Sequence, residues 1–278
     1  MPQTIYEFGG QGTPLHIAIA NGFPPQTYAP LLQPFTDRYR VFSLPPRALW
    51  TDPPPPESFQ SWHELADDLL AGLEQFGLTD VIALGHSFGA IASMIAAVKA
   101  PSRFRGLILL DPTLLPASAL AGLAELRAAQ GRTPLADGAL KRKARFNDVE
   151  EAYTYWRGKP LFADWSDAAV RLYAESLTRP ALDGGLELTW PPAWEAHYYD
   201  TITADIWEFV PRLRGLLPVL ILRGTTSNTL SPEAIAAVRE MLPDADFGEI
   251  EGGHLFPHAA PDATHKAIDR WLQARGLD

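Results

Sequence analysis

The sequence predicts an α/β fold in which a mostly parallel central sheet is flanked by helices and interrupted by an inserted helical cap. Three observations carry that expectation. Short apolar runs alternate with amphipathic helical patterns, which is how parallel strands and their crossover helices read in sequence. The alternation stops between about residue 112 and residue 212, where amphipathic segments follow one another without a buried-strand run. Finally, Gly85-His86-Ser87-Phe88-Gly89 lies between the apolar run Val81 to Leu84 and the helix-like Ala90 to Ala97, so that a strand, a sharp turn and a helix meet at a serine.

In chain order, Thr4 to Phe8 is a candidate strand ahead of a glycine turn, and His16 to Ala20 is a fully buried one. Arg40 to Leu44 is a further candidate. The run Asp52-Pro53-Pro54-Pro55-Pro56-Glu57 reads as a stiff polyproline spacer on the surface. Ser61 and Glu64 have capping-box spacing, and Trp62, Leu65, Leu69, Leu73 and Phe76 then recur on one helical face. Val81 to Leu84, Leu107 to Leu110 and Val219 to Leu222 are buried strands, and Asp246 to Ile250 is a last one before Gly252-Gly253. A helical pattern around Lys266 to Leu272 closes the chain. The expected division is a core in two parts, 1–111 and 213–278, with a cap at 112–212. The cap segment holds five of the eight tryptophans, Trp156, Trp165, Trp190, Trp194 and Trp207, which suggests an apolar pocket roof. Trp156, Trp165, Trp194 and Tyr199 are the expected substrate contacts. The competing explanation is that a thin helical layer needs large side chains to bury enough area.

Composition narrows the function. A formal charge of −10 offers no basic patch, which disfavours nucleic acid and anionic lipid surfaces and suits a small neutral substrate. The absence of cysteine excludes disulfides, thiolate catalysis and Cys-based metal sites. No apolar run reaches the length of a membrane span, and Met1-Pro2-Gln3-Thr4 lacks the features of a signal peptide, so a cytoplasmic location is expected. Neither cofactor nor metal is expected.

A bare Gly-x-Ser-x-Gly arises by chance in about one chain in ten of this length. Its position between strand and helix is what makes it a nucleophile elbow, a turn that holds a serine hydroxyl clear of the sheet. A serine hydroxyl is a poor nucleophile at neutral pH and needs a base, which in turn needs an orienting carboxylate. His254 suits the role of base: it stands in Glu251-Gly252-Gly253-His254-Leu255-Phe256-Pro257, a flexible loop after the last strand. His16, His63 and His265 lie on strands or helices where core or surface roles suffice. His86 points away from the serine, and Pro257 argues against a metal pair of His254 with His258.

The elbow, His254 and the order of strands resemble the α/β-hydrolase family, in particular its capped esterase, haloperoxidase-like and epoxide-hydrolase-like branches. Asn21-Gly22-Phe23-Pro24 is similar to that family's His-Gly-Phe-Pro turn, with asparagine in place of histidine. The resemblance implies that the backbone N–H groups of Phe23 and Phe88 form an oxyanion hole. It also implies an acid after the penultimate strand, within Gly-x-x-Asp. The corresponding stretch here, Gly224-Thr225-Thr226-Ser227-Asn228, has serine at that place. Asp111, at the carboxyl end of the strand after the elbow helix, is the expected replacement, as in some lipases and dehalogenases of the family. Asn228, Asp200 and Asp205 are the alternatives, and a structural Asp-Pro turn is the bland explanation of Asp111.

The function expected is a serine hydrolase of small apolar carboxylic esters working through an acyl-enzyme, with catalytic Ser87, His254 and Asp111. Serine at position 87 argues against epoxide hydrolysis and dehalogenation, which in this family use aspartate. Carbon–carbon bond hydrolysis, acyl transfer and peracid formation could use the same triad, and a non-catalytic ligand-binding protein is the alternative of a different class.

Overall fold

The computed structural model describes residues 3–277. Met1 and Pro2, part of the stretch read as lacking a signal sequence, lie outside them. The strands are β1 (Tyr6–Gly9), β2 (Thr13–Ala18), β3 (Tyr39–Ser43), β4 (Val81–His86), β5 (Phe104–Leu110), β6 (Arg145–Phe146), β7 (Thr178–Pro180), β8 (Leu186–Leu188), β9 (Val219–Gly224) and β10 (Asp246–Ile250). Seven form the central sheet in the order β1-β3-β2-β4-β5-β9-β10. Only β1 runs antiparallel to its neighbour; the rest are parallel.

All seven strands expected from sequence are present: the inner ones are apolar runs that a sheet covered on both faces largely buries, whereas the edge strands β1 and β10 are only partly buried. Every residue of β4 is buried. The helix Phe88–Lys99, buried along Phe88 to Ala97, packs on β2, β4 and β5, and the helix His63–Gln75 packs against it. The latter buries Leu65, Leu69 and Leu73 on its inner face, as the periodicity requires. Its start differs from expectation: Trp62 is the cap residue, and no side chain caps it. Glu64 does reach back past the helix start, but to the Gln60 N–H at 2.6 Å rather than that of Ser61, and its other oxygen pairs with Arg47 at 2.8 Å.

Between β5 and β9 the chain forms the helices Ala117–Gln130, Pro134–Leu140, Val149–Arg157, Asp167–Leu177 and Pro192–Asp200. It also forms a small antiparallel sheet, β6-β8-β7, where no strand is expected. These strands are two or three residues long, and their pairing brings Arg145 and Arg179 onto Glu187, so the sequence carries no apolar run to reveal them. The polyproline run is extended through Pro55 (φ −62°, ψ 141°) and ends in a single turn, Pro56–Ser58. Among the described residues no helix is long and apolar enough to cross a membrane.

Candidate functional site

The elbow is built by close backbone approach. Ser87 stands between β4 and the helix Phe88–Lys99 with φ 59° and ψ −123°, a strained conformation for a residue with a side chain. The flanking glycines leave no room for anything else. A Cβ on Gly89 would lie 2.3 Å from the Ala18 carbonyl oxygen, and one on Gly85 would lie 2.6 Å from Ala90 Cα. Gly89→Ala is therefore expected to destabilise the fold by about 3 kcal/mol in urea denaturation, since both colliding groups are backbone. Gly138→Ala is its control: a Cβ there meets nothing within 4 Å, and in a helix it is expected to be neutral or stabilising by about 0.5–1 kcal/mol.

The structure brings Ser87, His254 and Asp111 together. Ser87 Oγ lies 2.9 Å from His254 Nε2, and His254 Nδ1 lies 2.7 Å from Asp111 Oδ2. Asp111 is completely buried, and a buried carboxylate needs its lone pairs satisfied. Its Oδ1 accepts the Gly224 N–H at 2.9 Å, and its Oδ2 accepts the Ser227 hydroxyl at 2.5 Å as well as the imidazole. Ser227 Oγ itself accepts the N–H groups of Thr229 and Leu230, which leaves its proton for Asp111. Strand order explains the arrangement. β5, which leads directly into Asp111, lies between β4 and β9, so the loop after β9 packs beside it and position 227 becomes a donor to the carboxylate. Of the alternative acids, Asp205 is held by His63 at 3.0 Å and Asp200 accepts the Thr133 N–H, while Asn228 lines the cavity.

The two expected oxyanion donors differ. Phe88 N–H belongs to the first turn of its helix, one of the N–H groups that a helix leaves unpaired. Phe23 N–H already donates to the Ala20 carbonyl at 3.1 Å, closing a tight turn around Gly22 (φ 83°). An oxyanion would have to share that N–H with the Ala20 carbonyl. The turn is pinned from behind. Asn21 Nδ2 donates to the Glu195 carbonyl at 3.0 Å, and Tyr173 Oη donates to the Gly22 carbonyl at 3.2 Å. Beneath them Arg142 pairs with Glu195 at 2.5 Å. Burial pushes the Glu195 carboxyl up to about 7, against the pull of Arg142. A further group was missed by sequence reasoning: Thr113 Oγ1 lies 3.2 Å from Ser87 Oγ. It stands two residues after Asp111, in an Asp-Pro-Thr segment whose aspartate alone drew notice.

A cavity of about 390 Å³ opens on Ser87 and His254, with Phe23, Trp62, Phe88, Leu123, Leu161 and Ile202 among its mainly apolar lining. Tyr199 lines it as expected, but Trp156, Trp165 and Trp194 do not. Trp165 stacks on His258 with centroids 4.6 Å apart, Trp156 meets Tyr173 edge-on, and Trp194 packs against Tyr198. These three are buried in one continuous core with the sheet, Trp165 meeting Phe23 and His258 and Trp194 meeting Phe59, so they fasten the helical layer to the rest of the fold.

Known proteins agree with this architecture. The family model described as alpha/beta hydrolase fold matches residues 17–261. A 2-(acetamidomethylene)succinate hydrolase of Mesorhizobium japonicum is 29% identical over 252 residues, covering 89% of this chain and 83% of its own. An N-formylmaleamate deformylase of Pseudomonas putida is 23% identical over 271 residues, covering 97% and 92%. Among solved structures, that of E-2-(acetamidomethylene)succinate hydrolase superposes with a TM-score of 0.77 at 26% identity, covering 97% of this chain and 94% of the other.

Proposed function

The chain belongs to the alpha/beta hydrolase fold family, and from that premise we propose that it is a serine hydrolase cleaving small apolar carboxylic esters through an acyl-enzyme. The observation that supports this most is the unbroken relay from Ser87 through His254 to a buried, triply hydrogen-bonded Asp111. Ser87 Oγ attacks the substrate carbonyl as its proton passes to His254 Nε2. Asp111 holds the Nδ1 proton and stabilises the imidazolium that forms. Phe88 N–H, aided by the positive end of its helix, takes the developing oxyanion, with Phe23 N–H as a shared second donor. His254 then protonates the leaving alcohol, whose departure breaks the C–O bond and leaves Ser87 acylated. Water, deprotonated by His254, attacks that ester, and collapse returns the proton to Ser87 and releases the acid.

The relatives favour a second reading on the same machinery. Their names describe hydrolysis of an acetamidomethylene compound and removal of a formyl group, so the bond cleaved here could be that of an N-acyl compound or a carbon–carbon bond rather than an ester. In the N-acyl case His254 would protonate a nitrogen leaving group. A panel of p-nitrophenyl acetate and butyrate beside small N-formyl and N-acetyl amides separates the two. The ester reading expects the higher kcat/KM on the esters after allowance for their intrinsic reactivity, and Ser87→Ala to lose about 10⁴-fold or more on any substrate. Turnover confined to the amides would replace it with the second reading.

A further inference from the structure

A second hydrogen-bonded chain runs behind the Ser87-His254-Asp111 relay. Ala20 N–H donates to Tyr28 Oη at 2.9 Å, Tyr28 Oη lies 2.8 Å from His86 Nδ1, and His86 Nε2 lies 3.0 Å from the carbonyl oxygen of His254. Tyr28 and His86 are completely buried. The partners assign every proton. A carbonyl oxygen only accepts, so His86 Nε2 carries hydrogen; a neutral ring then has a bare Nδ1, which makes Tyr28 the donor to it, and the Tyr28 oxygen accepts from Ala20. Burial and the neighbouring rings of His254 and His258, centred 5.1 and 5.8 Å away, hold His86 well below the usual histidine range and keep it neutral.

The two ends of this chain lie in the working parts of the site. Ala20 carries the turn that Phe23 N–H closes, and the His254 carbonyl belongs to the candidate base itself. We propose that His86, the residue before the nucleophile, is a positioning residue: its Nε2–H holds the main chain of His254 and, through Tyr28, sets the base at a fixed distance from the Phe23 turn. The proposal rests on the reading of Ser87 and His254 as nucleophile and base. A base displaced by about 1 Å costs on the order of 100-fold in rate. His86 is absent from the cavity lining, so the proposal places its effect in kcat rather than in KM.

The test compares four variants by steady-state kinetics on p-nitrophenyl acetate. In His86→Gln the side-chain amide reaches the place of Nε2 and keeps an N–H for His254. In His86→Asn it stops at the place of Nδ1, and His86→Leu fills the space without a donor. Asn and Leu are expected to lose about 100-fold in kcat with KM changed less than about threefold, while Gln, which keeps the bond to His254 but offers Tyr28 no acceptor, loses only about tenfold. Tyr28→Phe, which keeps the ring and removes both of its bonds, is expected to lose about tenfold in kcat alone and serves where the other variants fail to fold. Equal activity of Leu and Gln, a loss confined to KM, or an unaffected Tyr28→Phe overturns the proposal. An inactive parent protein would remove the underlying reading and the proposal with it, whereas an active parent with indifferent His86 variants removes the proposal alone.

Discussion

Asp111→Asn is expected to lower kcat for ester hydrolysis by about 10³–10⁴-fold with little change in KM. The reason lies in the proton inventory around the buried side chain. Asp111 accepts from Gly224 N–H, the Ser227 hydroxyl and His254 Nδ1. An amide oxygen can serve one side of that set, but its NH₂ then faces a second group that must also donate. If the amide faces His254, the ring has to present a bare Nδ1, and Nε2 acquires the hydrogen that prevents it from accepting the Ser87 proton. The developing imidazolium also loses its counter-charge. Steady-state kinetics at constant pH, with circular dichroism to establish that the variant folds, checks this. A folded Asp111→Asn variant within about tenfold of the parent would return the role of acid to another group.

The second large effect is acid lability. His16, His86 and His258 are buried; burial pushes His16 and His258 down from 6.5 to about 3 and His86 well below its usual range. The geometry agrees for His16, whose Nε2 accepts the Leu44 N–H and must be bare to do so. Each group takes up a proton in the unfolded chain as pH falls through 6.5 but refuses it in the folded one. Their stabilisation is thus fully present above that pH and is lost progressively below it. Glu195 works in the opposite sense. With a folded value raised from 4.5 to about 7, it binds its proton first in the folded state, so its contribution grows as pH falls through that window. Three protons favour the unfolded chain and one the folded, so between pH 6 and 5 the net slope approaches about 3 kcal/mol per pH unit. Urea denaturation at pH 7.5, 6.0 and 5.0 reads it directly. Stability flat to within about 1 kcal/mol across that range would contradict the neutral-histidine account.

The fold is legible because its inner strands are largely buried and therefore written as apolar runs, while the edge strands β1 and β10 are placed by the turn signals beside them. The strands β6 to β8 are not legible, since two or three residues flanked by charge carry no period. Ser87, His254 and Asp111 could each be placed at the end of a strand, and strand ends on one edge of a parallel sheet converge. What lay beyond the sequence was the use of position 227. A serine in place of an expected acid suggests a gap, and only the neighbouring of β5 and β9 turns it into a donor for Asp111. The same holds for His86. Its place beside the nucleophile was visible, but the partners that fix its protons come from Tyr28 and His254, far away in sequence. Between β5 and β9, Tyr199 lines the cavity while Trp156, Trp165 and Trp194 pack into the core, and aromatic enrichment alone does not distinguish the two places.

The central claim, that the chain works through a covalent acyl group on Ser87, is tested most directly by intact-protein and peptide mass spectrometry after treatment with a fluorophosphonate. The account predicts one adduct per chain on the peptide containing Ser87, formed quickly in the parent protein and far more slowly in His254→Ala. A folded protein that turns over its substrate yet carries no adduct, or carries it on another residue, would contradict it.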